Sequence, residues 1–130
     1  MSHCLLIYID ENTNFNRQEI IQAISSIEHT YDISLTEEKS EDEDTFKYAL
    51  FCYYDFKEEE VSVRVDKDLK SIFVKDFSEA ALNFAFDLQQ IIDVGLSATD
   101  SDYSFLCQID QITSIEEFKN VVSQRIYMNE

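Results

Sequence analysis

Two histidines, three cysteines and twenty-seven acids are the side chains through which this chain could do chemistry. Their spacing limits what that chemistry is. The segment "DENTNFN" sets Asp10, Asn12 and Asn14 at alternate positions, as the first three oxygen donors of a calcium loop are set. Such a loop needs glycine at its sixth position and a bidentate glutamate at its twelfth; here those positions hold Phe15 and Ile21. A polar turn leading into a helix accounts for the segment better. Structural zinc needs closely spaced ligand pairs. His3 and Cys4 are adjacent, whereas His29, Cys52 and Cys107 stand alone. No metal or other cofactor is therefore expected. Each cysteine falls within an expected strand, where a thiol packs as a small apolar group. An odd number of cysteines, with no CxxC pair, argues against a disulfide framework.

Nucleophilic catalysis needs a serine or cysteine beside a base that a third group orients. His29 is the only internal histidine. It falls at the expected end of a helix, where a cation complements the dipole, and that role explains it better than catalysis does. Carboxylates are too numerous for any one pair to be singled out as acid and base. The chain has one glycine, Gly95, and no proline. GxGxxG, GxxxxGK[ST] and G-x-S-x-G all need more glycine than that. The chain is expected not to be an enzyme.

Charge is the strongest signal. Ten bases against twenty-seven acids leave a formal net charge of -17. Phosphate backbones and anionic membranes are bound by basic patches, so neither is an expected ligand. A basic partner is, because complementary potentials steer encounter; the plainer alternative is that the excess charge serves solubility. The acids concentrate in "EEKSEDED", with Glu37, Glu38, Glu41, Asp42, Glu43 and Asp44 around Lys39. A second cluster holds Asp55, Glu58, Glu59 and Glu60. Runs of like charge also occur as solvated loops. No apolar run reaches the roughly 20 residues that span a bilayer. "CLLIYI" has no basic n-region and is followed by acids, so a cytoplasmic location is expected.

The elements that must carry these residues follow from periodicity. "HCLLIYID" is expected as a strand buried on both faces. A helix should begin at Asn16, capped with Glu19 in a capping box, and run to about Glu28 on a stripe of Ile20, Ile24 and Ile27. "YDISL" alternates as a strand. "TFKYALFCYYDF" (45–56) is the clearest strand. It sets Phe46, Tyr48, Leu50, Cys52, Tyr54 and Phe56 on one face, and Lys47, Ala49, Phe51, Tyr53 and Asp55 on the other. "VSVRV" and "SIFVKDF" continue a meander. A second helix starts at Ser78 and should stop at Gly95. "LSATDSD" is expected as a loop, and "YSFLCQI" (103–109) as a strand. A last helix starts at Ser114, with Glu117 closing a capping box. The resulting order, β-α-β-β-β-β-α-β-α, predicts one α+β domain over 1–130. It has a mainly antiparallel sheet of five to six strands and three helices, ferredoxin-like in part.

A strand of about eleven residues spans on the order of 35 Å, so the two acidic clusters should mark opposite ends of the 45–56 strand. Between them lies a mixed face bearing Phe51 and Tyr53. Tyrosines such as Tyr48, Tyr53, Tyr54 and Tyr103 offer rings of the kind enriched where proteins meet.

In size, in its acidic runs "EEKSEDED" and "DFKEEE", and in the adjoining "FCYY", the chain resembles the immunity proteins of bacterial polymorphic toxin systems. These include partners of contact-dependent growth-inhibition toxins, and barstar-type inhibitors work by the same logic. No diagnostic motif carries the resemblance, and no family residue maps onto a position here. It implies a stoichiometric inhibitor, monomeric when alone, that occludes the basic cleft of a nuclease toxin. Charge assigns the contact to Glu37, Glu38, Glu41, Asp42, Glu43 and Asp44, with Tyr53, Asp55, Glu58, Glu59 and Glu60. Two other functions fit the composition: an acidic DNA mimic that blocks a nucleic-acid enzyme, and a self-associating adaptor or structural protein.

Overall fold

The computed structural model describes residues 4–9, 13–35, 48–75, 78–100 and 106–128, the last six of these as backbone only. The strands are β1 (Cys4–Ile9), β2 (Thr30–Leu35), β3 (Tyr48–Phe56), β4 (Glu59–Asp66), β5 (Ile72–Lys75), β6 (Leu96–Asp100) and β7 (Cys107–Gln108). The helices are α1 (Arg17–Ser26), α2 (Glu79–Ile91) and α3 (Ile115–Met128), with a 3-10 turn at Ile109–Gln111. The expected α+β class holds: among the described residues one antiparallel sheet carries three helices, with seven strands rather than about five to six.

The sheet order is β2-β3-β4-β5-β1-β6-β7. β5 and β6 are both antiparallel to β1, which lies between them, and α2 joins them. That is a split β-α-β unit. Setting aside the β3–β4 hairpin and β7 leaves β2-β5-β1-β6, the strand order of a ferredoxin-like β-α-β-β-α-β chain. The long hairpin is thus inserted between β2 and β5. It separates β2 from β5 by two strands, and β2 remains the edge strand.

The alternation in β4 explains one side of the sheet. Val61, Val63 and Val65 are buried, while Glu60 and Arg64 are exposed. Burial of each large apolar side chain stabilises by about 1.5–3 kcal/mol. α2 lies over this valine side, touching β1, β3 and β4, with α1 and α3 beside it. Phe84 of α2 and Phe118 of α3 are fully buried. The Asn16 side chain caps α1 by accepting from the Glu19 N–H at 3.0 Å, and Ser78 accepts from Ala81 at 3.4 Å. At α3 the Ser114 hydroxyl accepts from the Glu117 N–H at 3.2 Å. The Glu117 carboxylate returns to Thr113, taking its backbone N–H at 3.1 Å and its hydroxyl at 2.9 Å. The reciprocal bond of this box is therefore made one residue before the cap.

Several expectations are corrected. β1 is buried on one face only: Leu5, Ile7 and Ile9 point under the helices, while Cys4, Leu6 and Tyr8 are half-buried. The "LSATDSD" segment is not a loop, because Leu96–Asp100 forms β6 beside β1. Its small residues concealed the alternation, and Ala, Ser and Asp carry little strand preference. The expected 103–109 strand is reduced to Cys107–Gln108, with Ile109 opening the 3-10 turn; residues 103–105 lie outside those described. α1 ends at Ser26, so His29 stands beyond its cap, with φ of 74°. Gly95 does not stop α2, which ends at Ile91 with Ile92 as its cap, and Gly95 has no positive φ.

Asn14 and Phe15 tie the expected polar turn to the hairpin between β4 and β5. The Asn14 amide donates to the Asp68 carbonyl at 3.1 Å and the Phe15 N–H to the Leu69 carbonyl at 2.7 Å. Phe15 itself is buried in the core. Asp10 and Asn12 lie outside the described residues.

Candidate functional site

No described helix packs on the side of the sheet opposite the valines, and this side carries Tyr31, Tyr48, Phe51, Tyr53 and Phe73. Three adjoining strands build it. Tyr31 on β2 stands opposite Tyr53 on β3, and Tyr53 opposite Ser62 on β4. One step along, Phe51 stands between Ser34 and Arg64, and Arg64 opposite Phe73 on β5. At the hairpin end, Asp55 faces Glu60.

The rings form a continuous row. Tyr31 and Tyr53 stack with centroids 5.7 Å apart and planes inclined by 28°. Phe51 meets Tyr53 edge to face at 5.4 Å, and Tyr48 lies tilted against Phe51 at 5.8 Å. Such pairs contribute about 0.5–1.5 kcal/mol each beyond their buried area. Phe51, Tyr53 and Tyr31 all remain half-buried.

Two bulges place these rings. In β2, the register moves from Tyr31↔Tyr53 to Ser34↔Phe51, so three steps on β2 match two on β3. Asp32, with φ of 52°, accommodates the extra residue. In β3, the register moves from Tyr48↔Asp66 to Leu50↔Val65. The extra residue there is Ala49, which is buried with Leu50. Tyr48 therefore leaves the face of Leu50, Cys52 and Tyr54, where simple alternation sets it, and joins Phe51. Its hydroxyl lies 3.4 Å from the Ser34 hydroxyl.

Charge gathers at the hairpin end of the row. The Tyr31 hydroxyl donates to the Glu60 carboxylate and lies 3.2 Å from Asp55 Oδ1. Its bond to Glu60, reinforced by desolvation and by Asp55, holds the phenol well above its ordinary pKa, so it stays a neutral donor. Among the described residues, no lysine or arginine pairs with Asp55 or Glu60. Arg64 is differently served. Its guanidinium lies 4.7 Å above the Phe73 ring, and its Nε is 3.7 Å from Asp66 Oδ1. Asp66 is raised above the ordinary carboxylate range by desolvation, opposed by a 3.0 Å bond from the Ser71 hydroxyl and by Arg64.

The structure thus brings Tyr53, Asp55 and Glu60 of the expected contact residues together. Glu58 lies in the hairpin turn, with φ of 69°. Strand alternation sends Glu59 to the opposite side from Glu60, so these neighbours do not act as one cluster. Glu37, Glu38, Glu41, Asp42, Glu43 and Asp44 lie outside the described residues. Tyr54 is 1% exposed beneath α2 and is unavailable to a partner; Tyr103 lies outside the described residues. Tyr31 escaped the sequence reading because "YDISL" is short and broken by a bulge. Its one sequence signal was a large aromatic at the start of an alternating run.

Burial raises the Cys52 thiol to about 12 and, with Glu117 nearby, the Cys107 thiol to about 11. Among the described residues, no three His, Cys, Asp or Glu side chains gather to hold a metal ion. No described helix is long and apolar enough to cross a membrane. An open groove near Leu106, Ile112 and Val121 has one carboxylate, Glu117, which is already bonded to Thr113.

No protein-family model matches the chain, and neither a curated protein nor a solved structure matches it.

Proposed function

We propose that this chain is an acidic, stoichiometric inhibitor that binds a basic protein, a nuclease toxin being the partner class its charge fits best. One observation carries the reading: Asp55 and Glu60 stand together without a described cation at the end of a half-buried aromatic row, on a chain of net charge -17. Rings supply contact area at small entropic cost, and carboxylates compete for the lysines and arginines that would otherwise hold phosphates. Glu37, Glu38, Glu41, Asp42, Glu43 and Asp44 extend the same charge in sequence. Association driven this way is fast at low salt and weakens as salt rises. No catalytic group is required of this chain.

The test is recovery of a partner from the source organism at low salt, released by a salt step and then assayed alone. The proposal requires one basic protein whose nuclease activity appears on separation and is abolished by about one equivalent of this chain. A released protein whose activity is unaffected by adding the chain back overturns it.

A second function has a specific observation in its favour. Ile33 and Leu35 on edge strand β2 are 38% and 51% exposed, and an edge strand can pair with another copy. Self-association through β2 has to overcome repulsion between chains of charge -17. Light scattering at low and high salt separates the two: an inhibitor stays monomeric alone, whereas an edge-paired dimer strengthens as salt screens the repulsion.

A further inference from the structure

The open face already contains one worked example of a bound guanidinium. Arg64 lies over Phe73 while reaching Asp66, so this pleated surface positions an aromatic face and a carboxylate to suit an arginine. The Tyr31–Tyr53 end repeats the combination with two rings and two carboxylates. There, no described arginine or lysine completes it.

Asp55 and Glu60 form a direct cross-strand pair, and like charges in that position repel. The Tyr31 hydroxyl has one proton, so it can donate fully to one carboxylate at a time. It leaves net negative charge in place. A cation arriving here relieves that repulsion as well as gaining its own contacts. The choice between cations follows from shape. A guanidinium is planar, stacks on aromatic rings and presents N–H donors in a fork that two oxygens can accept together, whereas an ammonium is a compact, strongly hydrated point charge.

We infer that the patch formed by Tyr31, Tyr53, Asp55 and Glu60 seats an arginine side chain from a basic partner protein, its guanidinium on the tyrosine rings and its N–H groups toward the two carboxylates. The inference rests on the inhibitor reading for its occupant and adds the residue type recognised. The chain's net charge of -17 favours a basic occupant over a second copy.

The probe is a tetra-arginine peptide, titrated at low salt into the ¹⁵N-labelled full chain and compared with tetra-lysine of equal charge. The amides of Tyr31, Tyr53, Asp55 and Glu60 should shift together. Tetra-arginine should bind about tenfold more tightly than tetra-lysine. Asp55→Asn combined with Glu60→Gln should weaken both peptides, whereas Tyr53→Leu should remove the arginine preference and leave residual charge-driven binding. Preserved peak dispersion in each variant establishes that it is folded. Equal affinities with shifts spread over the acidic surface would overturn the arginine seat and leave the basic-partner reading standing. Arginine-selective binding at the patch, with no basic protein recovered from the source organism, would uphold the seat and sink the inhibitor reading. Shifts at the patch on raising protein concentration without peptide would mean that a second copy covers it, which also overturns the inference.

Discussion

Asp55 and Glu60 stand directly opposite each other across the β3–β4 hairpin, both within reach of the Tyr31 hydroxyl and with no described lysine or arginine paired to either. Direct like-charge cross-strand pairs are destabilising. Natural sheets more often place opposite charges there, so this arrangement trades local stability for a concentrated negative potential.

Asp55→Asn should therefore stabilise the isolated chain by a few tenths of a kcal/mol, since exposed charge pairs have small effects. The gain should shrink as salt rises. Urea unfolding at low and high salt measures both effects. A loss of stability would mean that the Asp55 charge is satisfied in the native fold and that the patch does not await a cation.

The hairpin turn is a second point of local cost. Lys57 and Glu58 both have positive φ, 49° and 69°, in a two-residue connection between the paired residues Phe56 and Glu59. That is the sign pattern of a type I′ turn, which favours Asn-Gly or Asp-Gly. Lysine and glutamate each carry a Cβ that the left-handed region disfavours, by roughly 1–2 kcal/mol. Glu58→Gly should raise stability by about 1 kcal/mol despite glycine's greater freedom in the unfolded chain. Thermal and urea unfolding of the variant check this. Because Glu58 lies in the turn rather than on the ring face, the variant should retain tetra-arginine affinity within about twofold.

How much of this was legible in the sequence depends on whether a residue's neighbours repeat regularly. The caps at Asn16, Ser78 and Ser114 are local, and each is made by the expected side chain. The valines of β4 alternate without interruption, so their buried face followed directly. Tyr48 did not follow, because one extra residue at Ala49 reverses the face on which everything before it falls. β6 was hidden for another reason. Leu96 and Ala98 alternate with Ser97 and Thr99, yet all four are buried, so no polar face marks the strand. A strand whose position is set by its neighbours need not show a strong pattern of its own. The candidate site combines both cases: Phe51, Tyr53 and Asp55 share an alternating run and Glu60 meets Asp55 across a short hairpin turn, but Tyr31 joins them only through long-range pairing.

Cysteine accessibility offers a direct test of the sheet's two sides. Cys52 faces the helices and Cys107 is buried near α3, with thiols pushed up to about 12 and about 11. Thiolate is the reactive form, so both should resist a thiol reagent at neutral pH until the chain unfolds. Cys4 is half-buried on the open face and should react first. The expected outcome is one modified thiol in the native protein and three in denaturant. Rapid native modification of Cys52, read by peptide mass, would contradict the burial of β3 beneath α2.

A polar contact joins β3 to α2. The Asn83 amide donates to the buried Tyr54 hydroxyl at 2.6 Å, and that hydroxyl donates to Asp87 Oδ2 at 3.2 Å. A 3.3 Å bond from Asn83 to Asp87 closes the set. Desolvation raises Asp87 above the ordinary carboxylate range, opposed by the Tyr54 bond and by His29. The native state thus holds the Asp87 proton more tightly than the unfolded chain does. Its contribution to stability is fully present below the ordinary aspartate pKa and is lost as pH rises through the elevated one. Asp87→Asn keeps the side-chain shape without the buried charge. Relative to the natural chain, the variant should therefore gain stability between pH 4 and pH 7. Tyr54→Phe should instead destabilise at every pH, by about 1–3 kcal/mol, because it leaves Asn83 and Asp87 short of a partner. Urea midpoints at pH 4 and pH 7 distinguish the effects. An Asp87→Asn variant that loses stability as pH rises would mean that the ionised carboxylate, rather than the neutral acid, is what holds α2 to the sheet.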